Sequence, residues 1–316
     1  MAKKNSIWWI LVFGLCFVFS SVFVFFKSRN AVNDDRLKIV CSTFPIYDWT
    51  LHIIGDDSES ITLSMTEKNG INFHNYVPTE LDFKQIDNSD LFICVGAEEN
   101  ILSNIELSQD KILNLGKNLE EKNPEKYAVD KNHIWLSVLN AEFFTNIIAE
   151  KIIQIDPDNS EKYSKNLARY INQLETLNDE YQEVFLKSSE QKSKPLIICD
   201  RNPFFWLFDD YKIQAFSALD SCSENDFVSE GLEKFIDDEK KNFLIGKINE
   251  IDTKFVFKLD NSSNKFANSI IQKSKNPLGD VLTLDTMHSA TLSETFKGKS
   301  FVKVMRANLD EFKKAL

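Results

Sequence analysis

The chain has 316 residues, 43% of them hydrophobic and 27% charged, which is enough apolar sequence for a folded body of about two domains. Its net charge of −11 argues against nucleic acid as a partner, because phosphate binding needs clustered Lys and Arg. The same acidity is compatible with a cationic ligand.

The run Ile7 to Phe26 (IWWILVFGLCFVFSSVFVFF) carries no charge over 20 residues, about the length that spans a bilayer. Lys3 and Lys4 precede it, and Lys27 and Arg29 follow. A cleaved signal peptide has a shorter apolar core and a small-residue cleavage site. A lipid anchor at Cys16 is disfavoured by Leu15, which stands where a small residue is wanted. The expectation is an uncleaved signal anchor that leaves the rest of the chain outside the cytoplasm. Of the five cysteines, Cys41, Cys94 and Cys199 sit in strand-like apolar runs, where buried free thiols are common. No CxxC spacing occurs, so neither a disulfide framework nor a cysteine zinc site is expected.

After a polar tether, LKIVCST (Leu37 to Thr43) reads as a strand and Tyr47 to Ile54 as a helix ending at Gly55. ITLSM (Ile61 to Met65) is a second strand, Lys68 to Tyr76 a loop, and Pro78 to Ile86 a helix starting beside Thr79. LFICVG (Leu91 to Gly96) reads as a strand buried on both faces, and Lys111 to Leu115 as another. Gly116 to Asn132 is polar and without period, which predicts an exposed loop. HIWLS (His133 to Ser137) opens a helix over Val138 to Ile155. From Asp156 to Ser189, apolar residues at Tyr163, Leu167, Tyr170, Ile171, Leu174, Leu177, Tyr181, Val184 and Phe185 make one helical stripe. Asp158 and Glu161 have capping-box spacing at its start. At about 1.5 Å per residue such a helix runs roughly 45 Å. The alternation then resumes. Strands are expected over Pro195 to Asp200, Lys212 to Ser217, Lys254 to Leu259 and Asp280 to Asp285. Helices are expected over Phe204 to Tyr211, Ser229 to Glu250 with an interruption near Asn242, Asn264 to Ser274, and Ser300 to Leu316.

Strands alternating with helices on both sides of a long helix predict an α/β fold of two similar parallel-sheet lobes joined by one rigid helix. The expected division is an N-terminal anchor and tether over 1–35, an N-terminal lobe over 36–157, the linking helix over 158–189 and a C-terminal lobe over 190–316. Ligands of such sheets bind beyond the carboxyl ends of the strands, here in the cleft between the lobes.

The chain has four histidines. His52, inside the amphipathic YDWTLHII, reads as a packing or surface residue. His74 and His133 lie where a loop or strand meets a helix start, and His288 follows Asp285 at a strand end. Neutral imidazoles with a carboxylate suit Zn²⁺ or Mn²⁺. GxGxxG, Walker A, GxSxG and HExxH sequences are all absent, which removes the usual phosphate cradle, nucleophile elbow and zinc-protease helix. An exported zinc hydrolase would need a general base, and although Glu98 or Glu99 could be offered, no motif places either beside His74.

Several blocks together resemble one family. NFHNYVPTELDFKQIDNSDLFICVG is similar to the "HxYxPT" ligand segment of the cluster A-I solute-binding proteins, the zinc and manganese receptors of ABC importers. HIWLSVLNAEFFTNIIAEKIIQIDPDNSEKYSKNLARYINQL is similar to their "HxWLS…NA…DP" block, and VLTLDTMHS and FVKVMRANLDEFKKAL to their last ligand strand and closing helix. The resemblance covers residues 36 to 316. It implies two α/β lobes on a rigid helix, a metal buried between them, and ligands at His74, His133 and Asp285. The family's third His aligns with Arg201 in the DRNPF of this chain, and its His-rich gathering loop is missing, which marks a divergent subgroup. Asp200 could replace that His as an oxygen ligand, and His288 could enter the site. The function so implied is a monomeric, membrane-anchored, non-enzymatic receptor that captures Zn²⁺, or Mn²⁺, and passes it to an ABC permease. The alternative is a degenerate scaffold serving adhesion or another ligand.

Overall fold

The apolar run Leu91 to Gly96 receives the cover on both faces that it needs and is buried from Leu91 to Val95, whereas in the run Lys111 to Leu115 the buried Leu113 stands between half-buried Ile112 and Asn114. In the computed structural model, which describes residues 35–56, 58–66, 76–96, 98–190, 194–219 and 236–316, β1 (Leu37–Cys41), β2 (Ile61–Met65), β3 (Leu91–Cys94) and β4 (Ile112–Asn114) form a parallel sheet in the order β2-β1-β3-β4. Ile39 stands opposite Leu63 on one side and Leu91 on the other, and all four residues of β3 are buried. The second sheet repeats the plan with β5 (Leu196–Arg201), β6 (Ala215–Leu219), β7 (Phe255–Leu259) and β8 (Asp280–Leu284), ordered β6-β5-β7-β8 and again parallel.

The helices described are α1 (Phe44–Ile54), α2 (Glu80–Asp87), α3 (Glu99–Leu102), α4 (Leu115–Lys122), α5 (Pro124–Val129), α6 (Val138–Ile155), α7 (Ser160–Glu190), α8 (Phe205–Asp210), α9 (Asp238–Ile251), α10 (Asn264–Gln272), α11 (Leu292–Phe296) and α12 (Phe301–Ala315). Thr79 caps α2 in a capping box with Asp82, beside the start the sequence marks.

The 31-residue α7 joins the two sheets. Tyr163, Tyr170, Leu174, Leu177, Tyr181 and Phe185 of its stripe are buried, with Leu167, Ile171 and Val184 packed against them. Its start is organised by Asp156 rather than by Asp158. The Asp156 carboxylate accepts hydrogen bonds from Ser60 Oγ (2.8 Å), Tyr163 Oη and Asn159 Nδ2, and a 3₁₀ turn over Pro157–Asn159 leads into the helix. Residues Leu37–Leu316 form one compact unit, and a single hydrophobic core includes residues of both sheets, α1, α6, α7 and α12.

Two further expectations are corrected. Gly116 to Asn132 is no loop: α4 and α5 occupy most of it. Asn114 caps α4 by accepting from the Lys117 N–H, Leu115 and Leu119 bury one short face, and Pro124 opens α5. α9 runs unbroken through Asn242, capped at Asp237 and with Leu244 and Ile248 buried one turn apart beyond that position. Its expected beginning at Ser229 lies outside the described residues. So do the apolar run Ile7 to Phe26, Cys16, His74 and Cys222. No helix among the described residues is long and apolar enough to cross a membrane. Cys41, Cys94 and Cys199 are free, buried thiols on β1, β3 and β5, and burial pushes the Cys41 thiol up to about 12.

Candidate metal centre

His133 is placed by its neighbours in sequence. Ile134, Trp135 and Leu136 form a fully buried 3₁₀ turn, and Ser137 closes it by accepting from the Asn140 N–H as the N-cap of α6. The imidazole that precedes this turn is therefore fixed at the edge of the core, only 1% exposed. Its Nδ1 lies 3.3 Å from Oδ2 of Asp130, whose other oxygen accepts from the Asn132 N–H at 2.8 Å. Burial alone would raise the Asp130 carboxyl, but its hydrogen bond and charge attraction to His133 and the nearby backbone N–H groups hold it below the usual range.

His288 is placed by a turn that other elements clamp. Asn308 of α12 accepts from the Asp285 N–H and donates to the Asp285 carbonyl, both at 2.8 Å. The N–H and hydroxyl of Thr286 both donate to Asp260 Oδ1. Met287 adopts φ +61°, a left-handed conformation uncommon for a non-glycine residue, and its N–H donates to Asp285 Oδ1 at 2.8 Å. The strained residue is held by the aspartate two positions before it, and the turn delivers His288 to a site only 3% exposed.

These two segments, one from each lobe, meet. The rings of His133 and His288 have centroids 5.1 Å apart at 59°. Trp135 completes the cluster: its ring lies 5.6 Å from His133 and 5.5 Å from His288, and its Nε1 donates to the Thr286 carbonyl. The indole also fills the junction with apolar surface.

The remaining candidates lie differently. Asp285 Oδ2 forms an ion pair with Lys299 at 2.9 Å. Burial works against the Lys299 charge, but Asp285 and Glu294 outweigh it and raise its pKa. Asp200 is wholly buried at the end of β5, where its two oxygens accept from the N–H groups of Arg201 (2.9 Å) and Leu259 (3.2 Å). Arg201, the next residue, is half-buried. His74 lies outside the described residues. Among the described residues, no three His, Cys, Asp or Glu side chains are grouped closely enough to hold a metal ion. His52 is apart from all of these, stacked on Tyr170 at 4.2 Å.

Several residues at this junction escape a reading by motif. On one flank, α8 of the C-terminal lobe grips the segment that carries His133. Trp206 Nε1 donates to the Asp130 carbonyl at 2.7 Å. Lys126 Nζ reaches Asp210 (2.7 Å) and Asp209 (2.9 Å), and Ser137 Oγ donates to Asp210. Burial raises the Asp210 carboxyl, and Lys126 and Ser137 oppose that rise. In the sequence the adjacent Asp209 and Asp210 read as solvated helix charges, and the structure corrects this for Asp210, whose side chain is only 9% exposed.

The sequence model of the family described as "Zinc-uptake complex component A periplasmic" matches residues 39–315. The chain belongs to this family. Among relatives of known role, the high-affinity zinc uptake system protein ZnuA of Bacillus subtilis is 23% identical over 337 residues, covering 100% of this chain and 99% of its own. Among solved structures with the same fold are two bacterial metal-binding proteins. The metal-dependent lipoprotein YcdH of Bacillus subtilis has a TM-score of 0.72 at 23% identity, over 89% of this chain and 99% of its own. The Zn(II)-bound ZnuA-like domain of AdcA from Streptococcus pneumoniae has a TM-score of 0.67 at 21% identity, over 89% of this chain and 98% of its own.

Proposed function

We propose that this chain is a non-enzymatic receptor that captures Zn²⁺, with Mn²⁺ as second choice, between its lobes outside the cytoplasm and hands it to an ABC permease. The membership in the zinc-uptake family supports the class of cargo. The observation that carries the reading for this chain is the His133–His288 pair. An ion about 2.1 Å from each coordinating nitrogen lies about 3.2 Å from each ring centre, so two imidazoles on one tetrahedral ion have centres about 5 Å apart. His133 and His288 stand at 5.1 Å. With Arg201 in place of the family's usual histidine, His288 takes its part, and His74 is the third imidazole of the set. Asp285 is the carboxylate of the set once Lys299 lets it go. Asp200 fits less well, because ligation would strip two backbone N–H groups of their acceptor. Three nitrogens and one oxygen favour zinc; a second carboxylate would favour manganese. The chain is expected to act as a monomer tethered by Ile7 to Phe26.

The test is titration calorimetry of the chain from residue 36 onward with Zn²⁺ and with Mn²⁺, alongside elemental analysis of the protein as purified. Zinc is expected to bind at one site, with affinity falling below about pH 6.5 as imidazoles protonate. Replacing His133 or His288 by Ala should weaken binding at least a hundredfold. A chain that stays metal-free in excess of both ions refutes the reading. The Lys299–Asp285 ion pair favours a second reading, in which the scaffold has exchanged its metal for an internal cation and serves adhesion or another ligand. Thermal stability that is identical with and without chelator, with zinc present, would select it.

A further inference from the structure

The contact between Asp130 and His133 has a consequence for which ring nitrogen of His133 binds a metal. A carboxylate in its ionised form only accepts hydrogen bonds, and Asp130 Oδ2 faces His133 Nδ1 at 3.3 Å while Oδ1 is occupied by the Asn132 N–H. The proton of the neutral imidazole then belongs on Nδ1, which leaves the lone pair on Nε2. Asp130 in turn is held from the other lobe. Its carbonyl accepts from Trp206 Nε1 at 2.7 Å, and Trp206 is anchored by Lys126, whose Nζ reaches the Trp206 carbonyl and lies 4.5 Å from the centre of its ring. The Asp130 backbone cannot shift without breaking a bond to α8.

We propose that Asp130 is a positioning residue: pinned by Trp206 across the lobe junction, it fixes His133 as the Nδ1–H tautomer and makes Nε2 the metal-binding nitrogen. The identity of the ion rests on the function proposed above, but the tautomer does not. The orientation of an N-terminal-lobe ligand is thereby set in part by a C-terminal-lobe tryptophan, so the site is assembled only where α8 meets residues 126–137. Outer partners of this kind typically change metal affinity 10- to 100-fold when removed.

The test uses the full chain in detergent with ¹⁵N-labelled histidine. There are four histidines, so each ring can be assigned by its single replacement with Gln. In the metal-free wild type, the long-range proton–nitrogen spectrum should show His133 with Nδ1 protonated and Nε2 bare. Asp130→Ala should move it to a mixture or to the Nε2–H form and weaken zinc binding about 10- to 100-fold, with Asp130→Glu restoring part of both. Trp206→Phe, which removes only the indole donor, should shift the tautomer in the same direction by a smaller amount. A wild-type His133 in the Nε2–H form overturns the proposal, as does a His133 spectrum indifferent to Asp130→Ala in folded protein. If Asp130→Ala does not fold, the wild-type tautomer and Trp206→Phe still decide. A chain with the Nδ1–H tautomer that binds no zinc would refute the receptor reading and leave the positioning role standing.

Discussion

Asp48 is the buried carboxyl group on which three elements converge, and its replacement gives the sharpest physical test of the lobe junction. It sits on α1, 1% exposed. Oδ2 accepts from the N–H of Phe301, the first residue of α12, at 3.0 Å and from Tyr170 Oη of α7 at 3.3 Å. The Phe301 N–H is one of the donors that a helix start leaves unsatisfied, and a carboxylate there also meets the positive end of the helix dipole. Asp48→Ala leaves two buried donors without an acceptor. At about 1–3 kcal/mol for each, and allowing for partial rearrangement, the loss should be about 2–4 kcal/mol. Asp48→Asn keeps one acceptor oxygen and should cost about 1–2 kcal/mol. The pH dependence carries a sign. Burial raises the Asp48 carboxyl above its ordinary value, while His52, the Phe301 N–H, Tyr170 and Lys303 oppose the rise. A carboxyl raised on folding contributes its full stability below the unfolded value of about 3.9 and loses it as pH rises through the folded value. The stability gap between wild type and Asp48→Asn should therefore be widest at and below about pH 4 and narrow as pH increases above it. Urea unfolding followed by circular dichroism across that range measures it. A gap that widens with pH, or an Asp48→Ala loss below about 0.5 kcal/mol, would refute the reasoning.

Two other substitutions test separate parts of the structure. A Cβ on Gly116 would lie 2.2 Å from the Val95 carbonyl oxygen and 2.6 Å from Tyr127 Oη, so Gly116→Ala should cost about 2 kcal/mol or more in the same unfolding assay; a neutral substitution would mean that Gly116 does not approach Val95 and Tyr127 this closely. Lys299→Met removes the cation paired with Asp285, and if Asp285 joins the metal, zinc affinity by calorimetry should rise about tenfold, the equivalent of 1.4 kcal/mol; a fall would exclude Asp285 as a ligand.

How much of this was legible depended on the range of the interaction. β3 is readable as an apolar run, and α7 from a stripe of nine residues sustained over about six turns, because burial imposes those patterns locally. α4 and α5 are not legible because each is short and buries little: Leu115 and Leu119 are the buried apolar side chains of α4, and α5 has no fully buried residue, so polar composition outweighs a weak period. At the site, His133 and His288 are visible as histidines at the edges of elements. Their meeting is not visible, since it depends on Trp135 and Thr286 joining segments 151 positions apart. The Asp285–Lys299 pair and the Trp206–Asp130 bond are equally hidden, because no periodicity encodes which side chains a tertiary fold brings opposite one another. The resemblance to a family gives the block order, and it does not give the neighbours of His288, which stands outside the ligand set that the resemblance implies.

The continuity of the core bears on how an ion could enter. Trp49 of the N-terminal lobe packs between Phe144, at 5.8 Å, and Phe301 of the closing helix, at 5.3 Å, and Tyr181 Oη of α7 donates to the Met305 carbonyl at 2.7 Å. A hinge opening of the lobes would part Trp49 from Phe301. Returning even one such aromatic side chain to water exposes at least about 150 Å², which costs about 4 kcal/mol. That alone holds the open population near one part in a thousand. Capture by a large hinge motion is thus disfavoured, and at the proposed site exchange would fall to local steps such as Lys299 leaving Asp285. Small-angle scattering should then give superimposable profiles with zinc and with chelator. A clear fall in the radius of gyration on adding zinc would show that the lobes close on the ion, and that the shared core yields more readily than its buried aromatic surface implies.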